Sequence, residues 1–386
     1  MDYEKYLSPV ANGLKPSGIR RFFDIAAEMD HVISLGVGEP DFKTPWAIRQ
    51  EAIHTLEQGK TWYTANAGLA QLRQEIARYL KDAIGVEYHP KDQILVSVGG
   101  SEAIDLCIRA LVQPGDEVLV PQPSFVCYDP IVRLAGGAPV AIETKVENQF
   151  RLTPEELEEK ITPNTKLLVL PYPNNPTGAV MKREHLEAIA PVLQRHDLLV
   201  LSDEIYSELT YSGKHVSIAS LPGMARRTVV INGFSKSFAM TGWRLGFAAG
   251  PAPIVQLMVK IHQYAIMSAP TMSQYAAVEA LKSCMSSVAD MREEYNLRRR
   301  YVVDALNKMG LSCFEPEGAF YVFPSIRSTG LSSEEFCEKL LEQERVAVVP
   351  GNAFGDSGEG HVRISYSYSI NYLKEALKRI QRFVGG

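Results

Sequence analysis

Short unbroken apolar runs recur through the middle of this chain, each followed by a polar or glycine-bearing turn. They fall within Gln93–Val98, Glu117–Val120, Lys166–Leu170, Asp197–Asp203 and Thr228–Ile231. Runs of this length without polar alternation suit strands buried on both faces, as in a parallel sheet. A helical pattern follows the first run, with Ala103, Ile104, Leu106, Cys107, Ala110 and Leu111 at helix spacing. Three strand–loop–helix units between Gln93 and Phe247 predict a mainly parallel sheet with helices on both faces. Thr153-Pro154-Glu155-Glu156 predicts a helix start, with Thr153 as N-cap, proline at the first helical position and Glu156 closing a capping box. Its acidic residues read as a solvated face. From Met291 to Met309 the apolar positions Tyr295, Val302, Leu306 and Met309 predict an amphipathic helix, with Arg298, Arg299 and Arg300 on its wet side and Gly310 as C-cap. From about Gly318 short strands and two helices predict a smaller α+β unit.

Polar groups cluster where the apolar runs stop. In open α/β sheets ligands bind beyond the carboxyl ends of the strands. Asp203 closes one run and Tyr206 follows it; a helix N-cap is the plainer reading of Asp203. Pro171-Tyr172-Pro173-Asn174-Asn175-Pro176-Thr177-Gly178 closes another, and the Asn175 amide can both donate and accept. Gly99-Gly100-Ser101-Glu102 joins a strand to a helix start, where unpaired N–H groups and the helix dipole favour an anion. Lys236 lies between Phe234 and Phe238, beside Ser235, with Arg244 downstream. A free lysine has a pKa of ~10.4. Apolar neighbours or a nearby cation disfavour the ammonium and free the amine for Schiff-base chemistry. Taken alone, Lys236 reads better as a solvated loop lysine. Alternation in His361–Tyr366 fixes Arg363 on one face of a strand, where its fork suits a carboxylate; a surface ion pair is the rival. Gly38 permits close approach of backbone to a ligand, or simply makes a turn.

Composition narrows the class. The 386 residues carry a formal charge of −5, with 46% apolar and 22% charged residues, values of an ordinary globular enzyme with no signature of a nucleic-acid or membrane partner. No apolar run exceeds five residues, against the ~18 a membrane span needs. The charged start Met1-Asp2-Tyr3-Glu4-Lys5 lacks a secretory segment, so a cytoplasmic location is expected. Five widely spaced cysteines and eight histidines show no ligand spacing, so reduced thiols and no metal are expected. Gly36-Val37-Gly38 does not open a nicotinamide site, because the third glycine of that fingerprint falls at Asp41 and Pro40 spoils the helix start.

The motifs SLGVGEPDF, YTANAGLAQLR, NNPTG, SDEIY, GFSKSFAMTGWRLGF, GAFYVFP, VAVVPG and VRISYS occur in this order. The set resembles the class I (fold-type I) pyridoxal-phosphate-dependent aminotransferases over nearly the whole chain, from about Ser17-Gly18-Ile19-Arg20 onward. Within them it is most similar to the bacterial and archaeal aspartate and aromatic subgroup. The resemblance implies an α/β fold with a large, mainly parallel mixed-sheet α/β/α domain at 46–280, and a smaller α+β domain formed by 1–45 and 281–386. It implies pyridoxal 5′-phosphate as cofactor, ping-pong transamination between an L-amino acid and a 2-oxo acid, 2-oxoglutarate foremost, and a homodimer with shared active sites. Lys236 would bind the cofactor and act as base, Asp203 would pair with the pyridinium nitrogen, and Tyr206 and Asn175 would bond the ring hydroxyl oxygen. Phe125 would stack on the ring. Ser235, Arg244 and the turn Gly100-Ser101-Glu102 would hold the phosphate, with Tyr63 from the other chain. Arg363, Asn175 and Gly38 would orient the substrate carboxylate. A carbon–sulfur β-lyase, or another reaction on the same scaffold such as decarboxylation, is the alternative. Some acid-specific members of the subgroup carry a lysine just after the Gly-Gly turn; here Ser101 and Glu102 stand there, so acceptance of aromatic or apolar donors alongside any dicarboxylate is expected. A cation from Lys15–Arg21 could still meet an acidic substrate.

Overall fold

The structure, a computed structural model, describes residue 1, residues 3–15 and residues 29–385. The Ser17–Arg20 motif, and all but the first residue of the Lys15–Arg21 segment, lie outside the described residues. Strand β1 (Ile33–Ser34) and helices α1 (Trp46–Glu57) and α2 (Ala70–Ile84) precede the central elements. These run β2 (Ile94–Ser97), α3 (Gly100–Leu111), β3 (Glu117–Gln122), α4 (Tyr128–Leu134), β4 (Ala138–Glu143), α5 (Pro154–Lys160), β5 (Thr165–Leu170), α6 (Arg183–Arg195), β6 (Leu199–Asp203), β7 (Thr228–Gly233) and β8 (Gly246–Ala249). Helices α7 (Ala252–Ala265), α8 (Thr271–Ser283) and α9 (Met285–Lys308) follow. The chain then forms β9 (Tyr321–Val322), α10 (Ser333–Glu344), β10 (Val346–Ala347), β11 (Val349–Pro350), β12 (Val362–Ser365) and α11 (Ile370–Gly385).

The apolar runs become a seven-stranded sheet in the order β2-β8-β7-β6-β5-β3-β4. Strand β8 is antiparallel to β2 and β7, and the remaining pairs are parallel. Every residue of β2, β7 and β8 is buried, because helices cover both faces and an unbroken apolar run has no polar side to expose. At the edge, β4 reaches solvent through Ala138, Ala141 and Glu143. The capping box at Thr153 and Glu156 forms as its spacing predicts.

A second apolar cluster gathers Leu35, Tyr295, Phe320, Phe336, Ile364 and Leu373, around the three-stranded sheet β11-β12-β9. Strand β1 pairs in parallel with β10, Ile33 against Val346 and Ser34 against Ala347. The segment that carries Gly36 to Glu39 is thereby tied to the C-terminal elements, while its far end runs toward the main sheet. Among the described residues no helix is long and apolar enough to cross a membrane.

Helix α9 departs from its sequence pattern. It starts at Met285 rather than Met291, and two of the three clustered arginines, Arg298–Arg300, are buried rather than wet: Arg298 is 6% and Arg299 8% exposed. Partners make this tolerable. Arg298 Nη1 donates to both oxygens of Asp41 at 2.8 Å, and its Nε to Glu294 at 2.9 Å. Its guanidinium lies over the Phe42 ring at 5.3 Å and the Tyr295 ring at 5.5 Å. Arg299 donates to Glu315 at 2.7 Å and to the Pro316 carbonyl at 2.9 Å. A helical pattern does not show that a cation's partners will come from distant loops. Arg298→Ala would strip Asp41 of its bidentate donor and should lower unfolding free energy by about 2 kcal/mol. Arg300→Ala, at an exposed position, should stay within ~0.5 kcal/mol of the parent in urea titrations.

Candidate active site

The parallel order places the carboxyl ends of β5, β6 and β7 side by side, with the β2–α3 turn and the loop after β3 around them. A cavity of about 350 Å³ opens there. Eleven of the residues singled out in the sequence line it: Gly38, Gly100, Ser101, Phe125, Asn175, Asp203, Tyr206, Ser235, Lys236, Arg244 and Arg363. They come from sequence positions more than 300 residues apart, brought together because each follows a strand end or lies on a strand that faces one.

Strand β7 ends at Gly233, and the chain turns so that Phe234 and Phe238 pack behind the site while Lys236 faces it. Lys236 Nζ donates to the Gly38 carbonyl at 2.6 Å. Its pKa is lowered to about 8, chiefly by burial; Glu39 opposes the shift, and Arg363 and Arg244 add to it. The amine is thus far closer to neutral at physiological pH than a solvated lysine.

Asp203 ends β6 and is buried. It caps no helix; one oxygen accepts from the Ile205 N–H at 3.2 Å and the other from the Tyr128 hydroxyl at 2.7 Å. Burial raises its pKa and Glu204 adds to the rise, while these two donors counter it. The Tyr206 hydroxyl meets the Tyr321 hydroxyl at 2.9 Å, and burial pushes the Tyr206 phenol well above its ordinary range.

At the opposite end of the cavity, Gly99 takes φ +82°, and a Cβ there would stand 2.8 Å from Arg244 Nη2. A Cβ on Gly246 would come within 2.6 Å of the Gly100 nitrogen. Glycine is required at both places for the backbone to reach the cavity wall. The N–H groups at the start of α3 are the unpaired donors of a helix terminus, and Ser235 and Arg244 face them across the cavity. Arg363, 3% exposed, donates from Nη1 to Asn175 Oδ1 at 2.9 Å and from Nη2 to the Gly36 carbonyl. Its Nε is buried without a partner. Its guanidinium lies over Tyr321 at 4.6 Å and Phe354 at 4.8 Å, so no surface ion pair forms.

Two of the singled-out residues do not reach the cavity. Tyr63 is 76% exposed, on a surface shared with Trp62. The Glu102 side chain turns away: at the third position of α3 it reaches back to accept from the Val98 N–H at 2.5 Å, and it meets His262 Nδ1 at 2.8 Å. Conversely, Glu39, Ile104, Tyr128, Thr241 and Tyr321 line the cavity without having been singled out. Tyr321 had a signal, since it stands in GAFYVFP; a Cβ on Gly38 would overlap its hydroxyl. Tyr128 had none, because its position in α4 reads as core.

Residues 30–380 match the family model described as aminotransferase class I and II. The YugH protein of Bacillus subtilis (strain 168) is 55% identical over 379 residues, covering 98% of each chain. The aspartate aminotransferase of Pyrococcus abyssi (strain GE5 / Orsay) is 50% identical over 372 residues, covering 96% of each. Among solved structures, the aromatic aminotransferase from Pyrococcus horikoshii OT3 superposes with a TM-score of 0.91 at 47% identity, covering 95% of this chain and 98% of that one.

In ligand-free protein, modification of Lys236 by an amine reagent, read by peptide mass mapping, should titrate with a midpoint near 8, against ~10.4 for solvated lysines. Because Glu39 raises the Lys236 pKa, Glu39→Gln should move the midpoint lower still. A midpoint near that of the surface lysines would contradict the burial described here.

Proposed function

The chain belongs to the aminotransferases of class I and II, enzymes that use pyridoxal 5′-phosphate to transfer an amino group between an L-amino acid and a 2-oxo acid, and we propose that Lys236 is the residue that holds the cofactor here. One observation carries this reading: an amine whose pKa is drawn to about 8 faces a cavity that has a buried carboxylate on one wall and glycine-lined backbone with an arginine on another. The residues fit the group. Asp203 suits a ring N–H⁺, Phe125 offers a ring face, and the close approach of Gly99 to Arg244 leaves backbone donors and a guanidinium for a phosphate.

When bound, the pyridoxal ring supplies a sink for the electrons left behind as a Cα proton departs. Asp203 holds the proton on the ring nitrogen, and Tyr128 and Ile205 keep its carboxylate in place. Tyr206 and Asn175 bond the ring hydroxyl oxygen. The N–H groups of Gly100, Ser101 and Glu102 take the phosphate with Ser235 and Arg244. Arg363, braced by Asn175 and Gly36 and lining the cavity, would orient the substrate carboxylate, with Gly38 giving the close approach. Lys236 would hold the cofactor and, once its Nζ is free, would serve as the base that moves the proton from the substrate Cα. Lowered basicity leaves a neutral fraction far above that of a solvated lysine. Amino donor and 2-oxo acid acceptor would use the site in turn, a ping-pong sequence with 2-oxoglutarate as the common acceptor.

We place Tyr63 in a homodimer, where it would reach the phosphate of the partner's site. Trp62, Tyr63, Tyr264, Ile266 and Met267 are exposed large apolar residues, and the 62–66 and 267–271 segments are joined by Asn66 donating to Met267 and Thr271 donating to Trp62. A contiguous apolar surface of this kind marks an interface. On the same reading, 46–280 forms the cofactor-holding domain, and 1–45 with 281–386 the smaller one. The cavity lies between them.

For donor range, Ser101 lines the cavity where a lysine would meet a side-chain carboxylate, so aromatic or apolar donors should be accepted alongside dicarboxylates. The Pyrococcus abyssi relative is an aspartate aminotransferase and the Pyrococcus horikoshii structure an aromatic one, consistent with a pocket that spans both. Incubation with a panel of amino acids and 2-oxoglutarate should yield glutamate; ammonia and pyruvate in its place would mark a lyase. A preference for aspartate over phenylalanine of a thousandfold in kcat/KM, worth ~4 kcal/mol, would contradict the inference from Ser101. Asp203→Asn should retain bound cofactor and lose on the order of 10²–10³-fold in kcat, because a neutral amide does not stabilise a ring cation. A near-parental kcat would remove Asp203 from that role.

A further inference from the structure

Helix α7 buries Val255, Met258 and His262 along one stripe, packed against α3. Apolar residues are what such a stripe calls for, yet its last member is an imidazole with no exposed surface. His262 Nδ1 lies 2.8 Å from Glu102 Oε1, and its Nε2 is buried without a partner. A carboxylate can only accept, so Nδ1 carries the proton of this contact and donates it to Glu102. The other Glu102 oxygen accepts from the Val98 N–H at 2.5 Å. Val98 is the residue before Gly99, whose left-handed φ of +82° swings the backbone into α3. Thus an imidazole on α7 holds a carboxylate on α3, and that carboxylate holds the backbone just ahead of the turn that faces Arg244.

Stability does not account for this pair. Polar groups in an apolar helix interface gain little over apolar residues of similar shape, and one imidazole nitrogen goes unpaired. What the pair does fix is the path of Val98 and Gly99. That path decides whether the free N–H groups of Gly100 and Ser101 converge on one point or splay apart. We infer that the side chains of Glu102 and His262 are positioning groups for the phosphate of the cofactor: neither side chain touches cofactor or substrate, and both act by locking the Val98–Gly100 turn. This rests on the placement of the phosphate against that turn proposed above.

The test compares two ligands of ligand-free protein, pyridoxal 5′-phosphate and pyridoxal, each followed by the absorbance change on binding, with thermal unfolding of the ligand-free form measured in parallel. The parent should bind the phosphorylated ligand more tightly; equal affinities would show instead that the phosphate does not lie at this turn and would remove the premise. His262→Leu should weaken pyridoxal 5′-phosphate about tenfold or more, the loss of one well-placed hydrogen bond or greater. It should leave pyridoxal within about twofold, and the unfolding temperature unchanged or raised. His262→Asn puts an amide N–H where Nδ1 stood and should restore most of the loss; His262→Gln reaches past that point and should not. Glu102→Ala should give the same phosphate-selective loss. Equal weakening of both ligands, no weakening of the phosphorylated one, or equal behaviour of the Asn and Gln variants would each overturn the proposal. The Asn and Gln variants keep the test decisive should the leucine variant fail to fold.

Discussion

Everything in this site follows from one unfavourable act, the removal of a lysine amine from water. An ammonium in an apolar setting loses solvation that no single neighbour replaces, so the group sheds its proton more readily instead. Around Lys236 the compensation is the Gly38 carbonyl, the Tyr206 and Phe320 ring faces at 5.9 and 5.8 Å, and a more distant carboxylate, Glu39, against two guanidiniums that push the other way. The result is a base poised near 8 rather than a permanent cation. Had a carboxylate stood within salt-bridge distance, the same lysine would be a structural ion pair with no chemistry to offer.

The fold keeps the charges in this cavity apart. Asp203 lies at the end of β6 and holds its own donors, Tyr128 and the Ile205 N–H, so it has no need of the lysine. Arg363 lies on β12, in the other sheet, and spends its donors on Asn175 and Gly36. Arg244 takes the end of the cavity beside Gly99. Parallel strands make this separation possible, since each carboxyl end delivers one side chain at strand spacing from the next. On the proposed reading the two cations that line the cavity would give a substrate and a phosphate distinct anchors, with Lys236 lining the same cavity.

The strands and most of the cavity wall were legible in the sequence because both depend on local pattern: an unbroken apolar run announces a buried strand, and polar residues at its end announce a site. Lys236, Asp203 and Asn175 were readable on those terms as polar groups at strand ends, while the roles proposed for them came from the resemblance to a family. Tyr128 was not, since its hydroxyl becomes polar lining only once α4 packs over the end of β6. Arg298 and Arg299 were read as solvated because their partners, Asp41 and Glu315, come from loops that the helix pattern does not include. Glu102 shows the same gap at finer scale. Its place after the Gly-Gly turn was plain, but the direction of its side chain depends on His262, 160 residues away. Tyr63 stands apart: it is exposed on its own chain, as the proposed role in a partner's site would require.

The central claim is that Lys236, and no other lysine, forms the covalent bond to the cofactor. Borohydride reduction of the enzyme as purified with pyridoxal 5′-phosphate, followed by proteolysis and mass mapping, tests it directly. The account predicts a single phosphopyridoxyl adduct on the peptide containing Phe234 to Phe238, at Lys236, with no comparable labelling elsewhere. An adduct on a different lysine, or stoichiometric labelling that survives Lys236→Ala, would contradict it.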